Sequence, residues 1–360
     1  MEVILTRSPF FITIDEASQT GSKVELFIWH KGETEPATPT RTLTKSAPSP
    51  TQRENNYNIA NYIKEYLNII APTTTTTVVE EDNEQWCYCK VKRYKVVVAT
   101  TTLLDTTTYI GLNGYTDYIG GYNQSYTDNV LPLVSPKIKR YYHNTTGYSD
   151  GSYFNLLIQE TSPNDTIELT YYDASGSVSS VVSLLSDDDY LYRVPYMLND
   201  IDLINGGYVK IYNVSDATLI TSIYSTPLCE PKYTPALLSF LNRDGGWQFL
   251  TFFKAKSESY ESKSKDFALL PDAVDYNPLR GQSQNFNFVA SRKIKINTGW
   301  VDENYSEIIQ DLFNSETILL DNVPVQLKSS SFQFKTKLKD RVINYEFDFE
   351  YNFNQINNVQ

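Results

Sequence analysis

From Ile343 to Phe353 the chain reads INYEFDFEYNF. Ile343, Tyr345, Phe347, Phe349, Tyr351 and Phe353 hold the odd positions, and Asn344, Glu346, Asp348, Glu350 and Asn352 the even ones. Successive side chains of a strand point to opposite faces, so this pattern buries an apolar face only as a β-strand with a wet back. Lys335, Lys337 and Lys339, just upstream, share that period and are expected to pair with these acids across a final hairpin. Exposed pairs of this kind are worth only tenths of a kcal/mol each, roughly, but help to fix register.

A one-faced sheet needs a cover, and one segment supplies it. After Gly299 and Trp300, the residues Tyr305, Ile308, Ile309, Leu312 and Phe313 recur at helical spacing. Asp302 is suited to N-cap this helix, Glu303 to complement its dipole, and Asn314-Ser315 to end it. A helix of about three turns with one stripe is unstable alone and must lie on a sheet. Its polar face, with Glu303, Glu307, Gln310 and Asp311, offers neither a nucleophile nor a metal cage. Trp300 is expected to anchor the strand-to-helix corner, where loss of a buried ring would cost about 3–5 kcal/mol. Trp247, Ile308, Leu312 and Phe313 are the other expected anchors.

The rest of the chain is written in the same vocabulary. Tyrosine is the outlier, with 28 residues against 17 Phe, 4 Trp and 2 Met. Tyr, Thr, Val and Ile favour pleated, half-buried surfaces. Turn clusters such as Asp173-Ala174-Ser175-Gly176 and Asp244-Gly245-Gly246 separate short apolar runs. At 360 residues the chain exceeds one ordinary sandwich. The expected fold is mainly β. Tandem immunoglobulin-like β-sandwich domains over 1–118 and 119–228 precede an α+β domain over 229–360, with one helix packed on an antiparallel sheet. A short helix is expected near 57–69, where Ile59, Tyr62, Ile63, Tyr66 and Leu67 form a stripe. The stretch 259–288 reads as polar and irregular.

Chemistry is sparse. No P-loop, dinucleotide fingerprint, zinc-protease helix or nucleophile elbow occurs. His30 and His143 are the only histidines. Cys87 and Cys89 are spaced for one strand face, and with Cys229 they lack the second pair that a zinc site needs. Asp187-Asp188-Asp189 could collect calcium but lacks the spacing of a calcium loop, so it reads as a solvated turn. No cofactor, metal or catalytic residue is assigned, and the chain is expected not to be an enzyme. A net charge of −12 argues against a dedicated nucleic-acid binder. Lys90, Lys92, Arg93 and Lys95 alternate with apolar residues as a solvated strand face does. No apolar run approaches the roughly 20 residues that span a bilayer, and no export signal is visible.

The Gly/Asn/Tyr-rich stretch after Tyr115 lacks periodicity and reads as a linker or interface loop. Tyr115, Tyr118, Tyr122, Tyr126, Tyr141 and Tyr142 are candidate contact residues. Tyrosine rings serve protein interfaces and sugar stacking alike, so a glycan site stays open as the alternative.

The segments Gly246-Trp247, Asn297-Thr298-Gly299-Trp300 and the Tyr/Phe-rich final strand together resemble virion structural proteins of tailed bacteriophages, particularly phages of Bacteroidota hosts. The resemblance covers the last third best. It implies a structural role in the tail, neck or baseplate, as a symmetric, ring-like oligomer touching copies of itself and other virion proteins. It implies synthesis in the host cytoplasm and residence in the virion, without nucleic-acid or membrane partners. The alternative is a glycan- or receptor-binding module of a phage tail, facing a host-surface glycan. No active-site residues carry over.

Overall fold

The computed structural model describes residues 1–49, 51–72, 78–135, 140–143, 152–160, 166–185, 188–196, 198, 205–215, 217–228, 232–268, 277, 279, 281–329 and 342–354. The chain is mainly β, with two α-helices longer than one turn among those residues.

The N-terminal part holds β1 (Glu2–Leu5), β2 (Phe11–Ile14), β3 (Gly21–Trp29), β4 (Arg41–Ser46), β5 (Asn55–Asn58), α1 (Ala60–Lys64), β6 (Glu80–Glu81), β7 (Trp86–Val97) and β8 (Thr100–Leu112). The middle part holds β9 (Ser125–Tyr126), β10 (Val130–Pro132), β11 (Arg140–His143), β12 (Tyr153–Ile158), β13 (Thr166–Asp173), β14 (Val178–Leu185), β15 (Tyr190–Pro195), β16 (Gly207–Asn213) and β17 (Thr218–Leu228). The C-terminal part holds β18 (Ala236–Leu241), β19 (Trp247–Phe252), β20 (Ser257–Ala268), β21 (Ser283–Asp302), α2 (Tyr305–Asn314), β22 (Ile318–Leu320), β23 (Val323–Leu327) and β24 (Val342–Tyr351).

The first sheet runs β4-β3-β7-β8-β1-β9, with the two-stranded ribbon β2-β5 lying over it. Val24, Leu26, Ile28, Cys87, Cys89 and Val91 face that ribbon together with Ile59 and Ile63 of the α1 region. Both cysteines are therefore core residues, on the shared face their spacing predicts. The helix is shorter than its stripe suggests, because Tyr57 belongs to β5.

Two sheets, β10-β12-β15-β6 and β11-β17-β16-β13-β14, enclose the middle core of Phe154, Leu156, Ile158, Leu169, Tyr171, Val194, Val209 and Ile211. These two parts of the chain exchange strands. The β9 strand pairs with β1 of the first sheet, and β6 pairs with β15 of the middle one. The back of β7 adds Trp86 to a further core with Val3, Leu5, Leu112, Leu131, Leu157 and Leu191.

The C-terminal sheet runs β19-β18-β22-β23-β24-β21-β20. In β24 the alternation holds: Ile343, Tyr345, Phe347 and Phe349 are buried, while Glu346 and Asp348 are exposed. Helix α2 covers the apolar face. Tyr305, Ile308, Ile309 and Leu312 are buried in the sheet's core, and Phe313 is partly buried against it. Each such side chain contributes about 1.5–3 kcal/mol by leaving water. The hairpin β22–β23 turns at Asp321 and Asn322, both with positive φ, as the twist of a two-residue turn requires.

Four expectations need correction here. Trp300 is 64% exposed and does not anchor the corner. The register slips between Asn297 and Trp300, where Gly299 has φ +70°. That bulge sets Trp300 opposite Asn344 on the outer face and sends Val301, opposite Ile343, inward. Asp302 is not the N-cap, since it ends β21. Asn304 holds that position without a side-chain hydrogen bond.

Within the polar stretch 259–288, residues 259–268 and 283–288 are not irregular but belong to the paired strands β20 and β21. The acidic turn is not simply solvated either. Asp189 is 3% exposed and accepts hydrogen bonds from the Tyr88 hydroxyl at 3.0 Å and the Glu160 amide at 2.9 Å. Asp187, Lys335, Lys337 and Lys339 lie outside the described residues. Lys295–Glu346 at 2.9 Å and Lys328–Glu350 at 3.2 Å supply charge pairs along β24.

Candidate functional site

The candidate surfaces build outward from the Asp244-Gly245-Gly246 turn between β18 and β19. Asn242 Oδ1 accepts the amides of Asp244 and Gly246, both at 3.0 Å, and closes the turn. Asn242 Nδ2 donates to the Leu133 carbonyl at 2.9 Å, and the Trp247 amide donates to Asn155 Oδ1 at 2.9 Å. The turn is thus pinned onto the middle part of the chain. A Cβ at Gly246 would lie 2.4 Å from the Leu133 oxygen, so only glycine permits this approach. Trp247 follows with its ring fully buried among Tyr153, Leu241, Phe249 and Leu319.

Beside this turn a cleft of about 550 Å³ opens between β10, the turn and α2. Tyr126, Arg243, Asp244, Gln310 and Asp311 line it together with Leu131 and Leu133. The Tyr126 hydroxyl donates to Asp244 at 2.6 Å, and the Tyr115 hydroxyl donates to Asp311 at 2.9 Å. Asn314 donates to the Tyr115 oxygen at 3.0 Å, and the Arg7 guanidinium lies 4.8 Å over the Tyr115 ring. Arg7 also donates to the Asn314 carbonyl and faces Glu316 at 3.5 Å, while Lys64 meets Glu316 at 2.8 Å. A cation at a helix C-terminus complements its dipole. These bonds tie α2 to the N-terminal part.

Burial sets the proton affinities in the cleft. It pushes the Asp311 carboxyl up to about 6, against the Tyr115 hydrogen bond, with Asp244 adding to the rise and Arg243 opposing it. Burial also raises Asp244, against the Tyr126 hydrogen bond and Arg243. Tyr115 is pushed up to about 12 by burial and by Asp311. The cleft can therefore hold or release a proton near neutrality. Among the described residues, no three His, Cys, Asp or Glu side chains gather as a metal site. No helix among them is long and apolar enough to cross a membrane.

The candidate tyrosines divide. Tyr115 and Tyr126 join parts of one chain. Tyr118 is 99% exposed on the single-turn 3-10 helix Tyr118–Gly120, beside the equally open Ile119. Tyr122 is 67% exposed and meets Phe11 edge-to-face, with ring centres 5.7 Å apart. Tyr141 and Tyr142 lie on β11, and their side chains fall outside the described residues. His30 Nδ1 lies 2.9 Å from the Trp86 carbonyl. The basic stretch of β7 is engaged: Lys90 pairs with Glu35 at 2.6 Å, Lys92 lies over the Phe27 ring, and Arg93 pairs with Asp105.

Sequence reasoning missed the second surface, the β20–β21 arm. All residues of β20 are exposed except partly buried Glu261. Tyr260, Phe267, Phe286, Phe288 and Val289 are exposed on the arm, and Trp300 follows on the same long strand. Phe267 and Phe286 meet edge-to-face at 5.5 Å. Exposed aromatics gathered in one element mark an interaction surface far better than scattered ones. The visible signal was Phe286, Phe288 and Val289 among polar residues, which turn-rich neighbours disguised.

No family model matches the chain, and no curated protein matches it.

Proposed function

We propose that the chain is a structural component of a phage particle, assembled by protein–protein contacts into the tail, neck or baseplate as a symmetric, ring-like oligomer. The observation that carries assembly is the β20–β21 arm: a two-stranded projection with exposed Tyr260, Phe267, Phe286 and Val289. An isolated ribbon of this kind gains little stability from its own pairing and becomes favourable when a partner covers it. The phage setting rests on the resemblance of Gly246-Trp247, Asn297–Trp300 and the final strand. The two sheets that enclose the middle core support a sandwich reading of that part of the chain. No catalytic or cofactor role is assigned.

The test is mass spectrometry and electron microscopy of purified particles. The chain is expected among the virion proteins at a copy number matching a ring, and its absence from particles sinks the proposal.

A second reading is favoured by the open Tyr118–Tyr122 loop, which suits stacking on a host-surface glycan. A glycan array with wild type and Tyr122→Ala decides it: binding lost in the variant supports it, and no binding at high protein concentration retires it.

A further inference from the structure

The arm carries charge as well as aromatic rings. Over 257–268 and 283–295, Lys263, Lys265, Arg292, Lys293 and Lys295 outnumber Glu258, Glu261 and Asp266, in a chain whose net charge is −12. Arg292 is held near the base by Glu258, and Glu261 is shared between Lys293 and Lys263, whose side chain stays 78% exposed. Toward the tip the register slips between Lys263 and Lys265, and Asn287 takes φ +53° as part of the bulge. The pairs Lys263↔Val289 and Lys265↔Phe286 flank that bulge. Alternation then places Lys263, Lys265, Phe267, Phe286 and Val289 on one face. The outer described part of the arm therefore carries Lys265, and Lys263 with Glu261 at 3.3 Å, beside an apolar patch.

The counterpart lies on the same chain, where β6 is the last strand of the sheet β10-β12-β15-β6. There β6 carries Glu80 and Glu81, both exposed, and Glu84 follows. Glu160 and Asp188 sit exposed near the adjoining strand ends. Lys31 is engaged with Asp188 at 2.7 Å, and Arg193 with buried Asp82 at 2.9 Å. Val78 beside this rim is 56% exposed. Like the arm, the rim joins charge to an apolar residue, with the opposite sign.

We infer that the arm of one copy docks on the acidic β6 edge of a second copy. The inference rests on the assembly reading and names its partner as the chain itself. A contact between two different surfaces of one molecule is head-to-tail, and repeats into a ring when its rotation closes. Opposite charge steers the encounter and fixes register, and the Phe267–Phe286 patch is the part that leaves water.

The test uses two charge reversals in the full chain, Lys263→Glu/Lys265→Glu on the arm and Glu81→Lys/Glu84→Lys on the edge. All four positions lie at the surface, and a melt matching wild type certifies each fold; Lys263→Gln/Lys265→Gln stands in if the first does not fold. Sedimentation follows self-association at low and high salt. Wild type is expected to associate, more weakly at high salt. Each reversal alone sets like charge against like and is expected to weaken association about tenfold or more. Mixed one to one, the variants offer an acidic arm to a basic edge and a basic arm to an acidic edge, so association is expected to return.

Wild-type association in either single variant overturns the inference. So does weakened association that mixing fails to restore, and so does a wild type that stays monomeric at every concentration. None of these results removes the chain from a particle, whereas absence from purified particles defeats the assembly reading whatever the sedimentation shows.

Discussion

Asp311→Asn tests the electrostatics of the cleft. Burial raises the Asp311 carboxyl from 3.8 to about 6, so the folded chain holds a proton that the unfolded chain releases. Between those values the folded state binds more protons, and stability falls as pH rises through that window. At pH 7 the folded protein carries a buried carboxylate, and the rise in its proton affinity corresponds to a cost of about 3 kcal/mol at most, less whatever solvent screens. Asparagine has nearly the same shape, keeps an oxygen for the Tyr115 hydroxyl and never ionises.

Asp311→Asn is therefore expected to be the more stable protein at pH 7.5, by as much as about 3 kcal/mol. The gap should shrink below pH 6 and close near pH 4. With an unfolding entropy of about 2.1 cal/mol/K per residue, the full gap corresponds to roughly 4 °C if the chain melts cooperatively as a whole. The assay is a pair of thermal or urea unfolding curves at each of several pH values. Taking the difference between the two proteins cancels carboxylates remote from the cleft, such as Asp105, which Arg93 holds low, and leaves Asp311 together with its neighbour Asp244. A gap independent of pH, or an asparagine variant less stable at pH 7.5, refutes the assignment of a raised Asp311.

Trp247→Ala is expected to cost about 3–5 kcal/mol in urea unfolding because its ring is fully buried, whereas Trp300→Ala, at 64% exposure, should change stability by about 0.5 kcal/mol or less. Asp82→Ala removes the hydrogen-bonded partner of the Arg193 guanidinium, with side chains only 1% and 11% exposed, and should cost about 3 kcal/mol in the same assay, since Glu80 still acts on Arg193. Gly246→Ala forces a Cβ to 2.4 Å from the Leu133 oxygen and should cost about 1–3 kcal/mol, read as a lowered melting temperature. A wild-type melt for that variant shows the turn free to move off Leu133.

What the sequence shows of this fold is whatever period alone determines. The final strand, the α2 stripe and the Asp173–Gly176 hairpin are readable because burial on one face leaves an alternating or helical record. Trp300, expected to anchor the strand-to-helix corner, points outward because one extra residue at a bulge reverses every face downstream of it, and no local signal sets its side. The arm escapes it because a ribbon exposed on both faces keeps no apolar period to read. Asp311 lies on the polar side of the α2 stripe, which by period alone belongs to water. A helix has more than two neighbours, and Tyr115, distant in sequence, closes over that side.

The same features explain how one chain can be stiff inside and adhesive outside. Core residues bridge its parts, with Trp86 between the first sheet and the middle one and Trp247 between the middle and the last. Strand exchange through β6 and β9 makes separation of the first two parts costly, since it would strip backbone hydrogen bonds as well as apolar contacts. With the parts joined in this way, the base of the arm, where β21 pairs with β24, and the acidic edge are set relative to each other. A head-to-tail assembly needs that fixed relation, because the rotation between neighbouring copies, and hence ring size, follows from where the two surfaces sit on the rigid body. Loosening the Gly246 turn should thus broaden the distribution of assembled sizes before it abolishes assembly. Charge reversal at Lys263 and Lys265 should do the opposite, reducing the amount assembled while leaving its size unchanged.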